Sequence, residues 1–173
     1  MFVIPPADLV RNLKAEHNIW VRFPARWEEL APDRYAAELG MRRLRRHSQY
    51  TFQNGVTKPM RSGAIVQPDD SNPFYINRDR HFEPRTDAFA NDPLLHSLVR
   101  LLARFAMAPD EASDWDVWVH PFRVLATAHA QGQPTPKGLH RHGVTLVTSL
   151  LVRPCNAIGG ENSVFDVNGH RYC

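Results

Sequence analysis

Two hydrophobic periods divide the chain into helical and extended segments. A helix is predicted at about residues 92–107, because apolar residues recur there every three to four positions after the start signal Asn91-Asp92-Pro93. The segment before about residue 40 also has a helical pattern, which includes a short helix near residues 33–39. From residue 43 onwards, apolar and polar positions tend to alternate. This pattern predicts strands at residues 43–53, 115–128, 139–153 and 163–167.

The order of these elements, helices first and antiparallel strands afterwards, predicts an α+β fold. With 173 residues, 43% of them hydrophobic, the chain can form one sizeable core, so a single domain covering residues 1–173 is expected. Helical cladding would occupy about residues 1–40, and the sheet would occupy about residues 43–173. Residues 54–84 are rich in Gly, Pro, Asn and Asp and are predicted to be loops, whereas Asn168-Gly169 predicts a hairpin.

The sequence does not predict a membrane-spanning helix or a signal peptide. No apolar run approaches the roughly 20 residues that a membrane-spanning helix needs, and the amino-terminal residues lack a basic region followed by a long apolar stretch. Two cysteines, Cys155 and Cys173, are too few for a disulfide framework. A cytoplasmic protein without a membrane partner is therefore predicted.

An arginine-rich run stands at the start of the predicted sheet. Its members are Arg42, Arg43, Arg45 and Arg46, in a chain whose formal net charge is only +3. No aromatic stacking pattern or nucleic-acid motif accompanies them, so a solvated strand face is expected and no nucleic-acid partner is predicted. Because a guanidinium fits carboxylates well, an arginine of this run could instead face an anionic substrate.

The strongest chemical signal is the pair His140 and His142 within the predicted strand at residues 139–153. Side chains two positions apart in a strand point to the same face, so the two imidazoles could share one metal ion. The alternative for His140 is a hydrogen-bonded core histidine.

The sequence around this pair resembles the bacterial 2-oxoglutarate/Fe(II) dioxygenases that include the isoleucine hydroxylases. The residues that carry the resemblance are Pro134, Thr135, Pro136, Gly138, His140, Gly143, Leu150, Leu151, Val152, Arg153, Asn156, Gly159, Gly160, Glu161, Phe165 and Asp166. The resemblance implies a double-stranded β-helix, also called a jelly-roll or cupin-like fold, with Fe(II) and 2-oxoglutarate as cofactors. It also implies hydroxylation of a free amino acid or a similar small molecule.

Two departures from the family pattern shape the expectations. The family has His-x-Asp where this chain has His140-x-His142, so an imidazole replaces a carboxylate. The distal histidine ligand and the arginine that binds 2-oxoglutarate are expected beyond Cys173. The chain is therefore expected to be an incomplete barrel, and its open sheet edge could pair with a second copy to form a homo-oligomer.

Two further residues are candidate substrate or cofactor contacts. Arg123 lies on the predicted strand at residues 115–128, where its guanidinium could bind an anion; the alternative is a surface or structural residue. Proline at position 121 predicts a bulge or an edge in that strand. Glu161 follows Gly159-Gly160 and could orient a ligand histidine, or could simply belong to a tight turn.

Two other functions compete with the oxygenase. A catalytically degenerate jelly-roll that binds a metal or a partner would explain the substitution at His142. A cupin-like metal protein would also contain His-x-His, but its motif adds a glutamate a few residues later. Leu146, Val147 and Thr148 occupy that region here, so the cupin alternative is disfavoured.

Overall fold

The computed structural model describes residues 3–60, 79–110, 114–134, 144–153, 156–159, 163–166 and 168–172. The helices are α1 (Pro6–Leu13), α2 (His17–Arg22), a 3₁₀ helix (Phe23–Glu29), α3 (Arg34–Glu38), α4 (Asp87–Ala90) and α5 (Pro93–Asp110). The strands are β1 (Ala31–Pro32), β2 (Arg43–Arg45), β3 (Ser48–Gln53), β4 (Val56–Pro59), β5 (Trp115–Val119) and β6 (Phe122–Val124).

The six strands form two antiparallel sheets of three strands each. Sheet I has the order β1-β2-β6, and sheet II has the order β4-β3-β5. This mixture of helices and antiparallel sheets confirms the α+β prediction. Within the described residues the strands do not close into a barrel.

Two predicted strands are each divided between the sheets. Residues 43–53 form β2 in sheet I and β3 in sheet II, and residues 115–128 form β5 in sheet II and β6 in sheet I. The chain crosses between sheets at Arg46-His47 and again at His120-Pro121. The two crossings lie side by side, because the Arg46 amide donates to the Pro121 carbonyl at 3.1 Å. Pro121 has no amide hydrogen and interrupts its strand, as its position in the sequence predicts.

Helix α5 packs against sheet II and confirms the predicted central helix. The Asp92 carboxylate caps its first turn by accepting from the Leu94 amide at 3.0 Å, and the same carboxylate binds the Arg26 guanidinium at 3.0 Å. The helix extends to Asp110, a few residues beyond its predicted end, with Pro109 in its last turn. Apolar residues on α5 form much of the core: Leu94, Leu95, Leu98, Val99, Leu101 and Ala103.

The helical amino-terminal segment covers the rest of this core. The predicted short helix near residues 33–39 is α3, whose first amides donate to the side chain of Asp33. In β3, Tyr50 and Phe52 are buried and their neighbours along the strand are less buried, as the alternating pattern requires. Phe23, on the 3₁₀ helix, stacks with Phe89 at a ring-centroid distance of 6.2 Å.

Two hairpins contain the dipeptide Asn-Gly. Asn54 and Gly55 join β3 to β4 with φ angles of 50° and 77°, as a type I′ turn requires, so the prediction of loops is wrong at residues 56–59. The predicted hairpin at Asn168-Gly169 is confirmed, since the Tyr172 amide donates to the Val164 carbonyl at 2.7 Å.

The predicted strand at residues 139–153 is wrong for its described part. Residues 144–153 contain no strand, and the apolar side chains of Val144, Leu146, Leu150 and Leu151 are exposed. Alternating hydrophobicity shows which face of a strand would be buried, but a strand also needs a neighbour for its backbone hydrogen bonds. Among the described residues, the two sheets lie between residues 31 and 124, and the later ones form isolated bridges such as Phe165 with Arg171, so the predicted sheet at residues 43–173 is confirmed only in part.

None of the helices in the described part of the chain combines the length and apolar character needed to cross a bilayer.

Candidate functional site

A cluster of polar side chains lies where the chain crosses between the sheets. His47 is fully buried, and its imidazole stacks on that of His120 with centroids 4.7 Å apart. The two Nδ1 atoms are 3.2 Å apart, and an Arg45 guanidinium nitrogen lies 2.7 Å from the His120 Nδ1. Trp118 presents its ring edge-on to both imidazoles.

The hydrogen bonds in this cluster assign a proton arrangement. A guanidinium can only donate, so the His120 Nδ1 accepts from Arg45 and carries no proton. Burial, and to a smaller extent the nearby charge of Arg45, lowers the pKa of His47 from 6.5 to about 4. His47 is therefore neutral at physiological pH.

Arg45 also forms one wall of an open cleft of about 260 Å³. Its guanidinium lies 4.0 Å from the centre of the Phe82 ring. The cleft is lined by Pro32, Arg34, Arg45, Phe82, Glu83 and Pro84, together with His81.

Two hydrogen bonds hold one wall of the cleft, at Glu83 and Pro84, against the crossing at Arg46-His47. The His47 amide donates to the Glu83 carbonyl at 3.1 Å, and the Arg46 guanidinium donates to the Pro84 carbonyl at 2.5 Å. On the opposite side of the cleft, at Arg34, the Tyr35 hydroxyl accepts from the His81 amide and from the Arg34 guanidinium, each at 2.8 Å. The buried Tyr35 hydroxyl therefore connects the two walls of the cleft.

Arg123, predicted as a substrate contact, lies on β6 and binds Glu28 through two nitrogens, at 2.7 Å and 3.2 Å. Hydrogen bonds from Arg123 lower the pKa of the Glu28 carboxyl, which is exposed. An anionic ligand at Arg123 would share or replace this carboxylate. Its role in substrate binding stays a prediction.

The predicted metal ligands His140 and His142 lie outside the described residues, as does Glu161. Among the residues that the structure describes, no group of three or more His, Cys, Asp or Glu side chains could hold a metal ion. The His47–His120 pair supplies two imidazoles but no third ligand from the described residues. Iron binding by residues 140 and 142 therefore stays a prediction.

Comparison with protein families identifies the chain. The family described as 2OG-Fe dioxygenase matches residues 24–173, which is most of the sequence and includes the His140-x-His142 pair. The chain belongs to the 2OG-Fe dioxygenase family. This assignment confirms the dioxygenase family predicted from the sequence, and Fe(II) with 2-oxoglutarate are the cofactors that this family uses.

One solved structure is similar to this chain over most of the chain's length. This 2OG-Fe dioxygenase chain is similar to a bsmA homologue from Methylobium petroleophilum PM1, with 31% identity and a TM-score of 0.68. The match covers 80% of this chain but only 56% of the homologue, so the chain spans little more than half of that protein's length. IDO from Bacillus thuringiensis matches at 18% identity and a TM-score of 0.46, over 64% of this chain and 45% of the other, which is too distant to support an inference. A search of curated proteins finds no match.

Sequence reasoning missed several residues of the crossing and the cleft. Arg34, His47 and Glu83 carry no motif that marks them, and they are brought near Arg45 only by the folded chain. The one available signal was the arginine run, from which a contact with an anion was considered.

Proposed function

We propose that this protein is an Fe(II)/2-oxoglutarate-dependent dioxygenase that hydroxylates a free amino acid or a similar small molecule. The observation that carries the proposal is the family match over residues 24–173, which contains two histidines at the spacing of a shared metal site. The 31% identity to the bsmA homologue supports the fold and the family. The amino-acid substrate, and the likeness to the isoleucine hydroxylases, are drawn from the sequence resemblance around His140.

In this proposal His140 and His142 hold the iron. Imidazole nitrogens are suitable ligands for Fe(II), and two of them on one side of an extended backbone leave other coordination positions open. The iron supplies the redox chemistry of the hydroxylation when it is bound. Arg123 and Glu161 are proposed to contact the substrate or the cofactor, or to orient a ligand histidine.

The proposal includes a double-stranded β-helix as the complete fold. Its support is the pair of antiparallel sheets between residues 31 and 124, together with the family match. The exposed apolar side chains at residues 144–151 would be covered in such a fold, or by pairing with a second copy of the chain. A cytoplasmic location, and the absence of membrane and nucleic-acid partners, belong to the same proposal.

The direct test is turnover. The purified 173-residue chain is incubated with Fe(II), 2-oxoglutarate and a panel of free amino acids, and succinate is measured. Succinate that depends on both the metal and an amino acid supports the proposal. The variant His140→Ala serves as the matched control, because it removes one proposed ligand. Succinate no higher than in the metal-free sample would defeat the enzyme proposal.

A second candidate function is a degenerate jelly-roll module that binds a metal without catalysis. The observation that favours it is His142, which stands where the family pattern has a carboxylate. Under this alternative the chain binds Fe(II) in a His140-dependent manner, as elemental analysis would show, but forms no succinate. Replacing His142 with aspartate then separates a lost ligand from a lost active site, because only a lost ligand is restored by the carboxylate.

A further inference from the structure

Among the described residues the two sheets end in four edge strands, β1, β6, β4 and β5, and the first three are protected against a further strand. β1 has only two residues, and one of them, Pro32, has no amide hydrogen. β4 contains Lys58 and ends in Pro59, and both residue types discourage edge pairing. At the edge formed by β6, the Phe122 carbonyl already accepts from the Trp27 indole at 3.1 Å.

Strand β5 lacks this protection. Its five residues, Trp-Asp-Val-Trp-Val, combine aromatic and β-branched side chains with a single charge. Within the described part of the chain its backbone pairs only with β3. The side chain of Trp118 is 47% exposed. An edge of this composition is a template for pairing with another strand.

The register of sheet II identifies the backbone groups at this edge. The Gln49 carbonyl accepts at 2.8 Å from the amide that follows the last residue of β4, so Gln49 directs its backbone groups towards β4. These groups alternate in direction along a strand, so Tyr50 directs its own towards β5, where it pairs with Val117. The same alternation along β5 turns the N–H and C=O groups of Asp116 and Trp118 away from β3.

The outward groups of β5 are complementary to a second copy of the same strand. When two β5 strands run antiparallel about a twofold axis at Val117, Asp116 of each copy lies opposite Trp118 of the other, and each such pair exchanges N–H···O bonds in both directions. On the face towards α5, Val117 meets its own copy and Trp115 meets Val119, which are favourable cross-strand pairs. Registers shifted by two residues leave part of each strand unpaired, and one of them also sets the two Asp116 carboxylates opposite each other.

We propose that β5 pairs with β5 of a second copy of this chain, which gives a twofold dimer. The pairing joins the three strands of sheet II from both copies into one sheet, in the order β4-β3-β5-β5-β3-β4. Because the axis is perpendicular to the sheet, α5 of each copy lies on the same face. A single strand edge is a small interface, typical of a weak and reversible dimer. The inference depends on the sheet and not on the proposed catalysis.

Sedimentation and hydrogen exchange test the pairing together. Sedimentation of the full chain, measured from low-micromolar to near-millimolar concentration, should show a monomer that becomes a dimer. Amide exchange followed by NMR over the same range identifies the edge. The amides of Asp116 and Trp118 should exchange slowly only where the dimer forms. Those of Val117 and Val119 face β3 and should exchange slowly at every concentration.

A pair of variants at one position tests the register. Trp118→Glu sets a carboxylate opposite Asp116 of the other copy, so the dimer should weaken by about tenfold. Trp118→Lys removes the same ring but sets an ammonium group opposite that carboxylate, so it should dimerise more tightly than Trp118→Glu. Phe105→Glu is the matched control, because this ring is 45% exposed and lies on α5, which packs against β3 and β4; its dimer should be unchanged. Circular dichroism confirms that each variant folds.

Several results would overturn the inference. A monomer at every concentration would do so, as would a dimer in which the Asp116 and Trp118 amides still exchange rapidly. Slow exchange of these amides in the dilute monomer would mean that the edge is covered within one chain. Equal dimerisation of Trp118→Glu and Trp118→Lys would exclude the register. These measurements need neither iron nor 2-oxoglutarate, so a failure here is distinguishable from a failure of the proposed function.

Discussion

The buried imidazole of His47 should make the fold sensitive to acid. Burial, reinforced by the charge of Arg45, lowers the pKa of His47 from 6.5 to about 4. The unfolded chain takes up a proton at this histidine as the pH falls below about 6.5, but the folded chain does so only near pH 4. Stability is therefore complete above pH 6.5 and is lost progressively as the pH falls towards 4.

The magnitude follows from the size of the shift. Each pH unit in this window changes the free energy of unfolding by about 1.4 kcal/mol, so the whole shift corresponds to about 3 kcal/mol. This amount is large against the roughly 5–15 kcal/mol that stabilises a typical domain.

Urea unfolding at several pH values tests the argument. The free energy of unfolding is measured for the natural chain and for His47→Gln between pH 7.5 and 4.5. Both proteins have the same carboxylates, so carboxylate titration cancels in the difference between them. The difference between the two proteins should shift by about 2–3 kcal/mol in favour of His47→Gln as the pH is lowered. His129→Gln, at an exposed position, is the control and should give a nearly constant difference. A constant difference for His47→Gln as well would refute the reasoning.

Three further predictions concern the cap of α3, the metal pair and a turn. Asp33→Ala should lower the free energy of unfolding by about 3–5 kcal/mol, because it leaves the Arg43 guanidinium partly buried without its ion partner and removes a helix cap. Asp33→Asn should cost less, since its amide oxygen can still cap the helix; equal losses in urea unfolding would contradict the role of the cap. His140→Ala should lower the amount of Fe(II) that copurifies with the chain, whereas His142→Asp should keep it, because aspartate is also an iron ligand; elemental analysis measures both, and unchanged iron in His140→Ala would argue against a site at this pair. Gly55→Ala should lower the free energy of unfolding by about 1 kcal/mol, because φ is +77° at this position. Thermal unfolding measures the loss. Gly132→Ala is the comparison, because φ is not positive there but the added carbon would meet Val124 at 2.8 Å, so the two variants separate backbone strain from crowding.

Local signals explain which helices could be predicted. Helix α5 begins at Pro93, directly after Asn91-Asp92, and has a clear 3.6-residue period, and α3 follows Asp33, a strong helix cap. These features depend on residues within one or two turns, so the sequence alone is sufficient to recognise them.

The division of strands between sheets depends on distant residues and could not be read from the pattern. Residues 43–53 alternate as one strand would, yet their partners are β6 for the first part and β5 for the second. The same limit explains the error at residues 144–153, where the apolar alternation has no described strand beside it. The turn at Asn54-Gly55 was missed because of the polar composition that surrounds it, although the same dipeptide was recognised at Asn168-Gly169.

The sequence predicted the chemistry of the candidate site but not which residues form it. The arginine run suggested a contact with an anion, because guanidinium chemistry does not depend on the fold. Which arginine faces the cleft depends on where the segment containing Phe82 and Glu83 crosses the end of β2, and this contact spans roughly 40 residues of sequence.

The pairing of β3 with β5 also sets the order of events during synthesis. Partners such as Ser48 and Val119 are roughly 70 residues apart, so β3 leaves the ribosome long before its neighbour exists. At translation rates of about 5–20 residues per second, this delay lasts several seconds. During that interval the hairpin of β3 and β4 presents one unsatisfied edge to the cell, and we expect nascent chains of this protein to depend on chaperones at that stage.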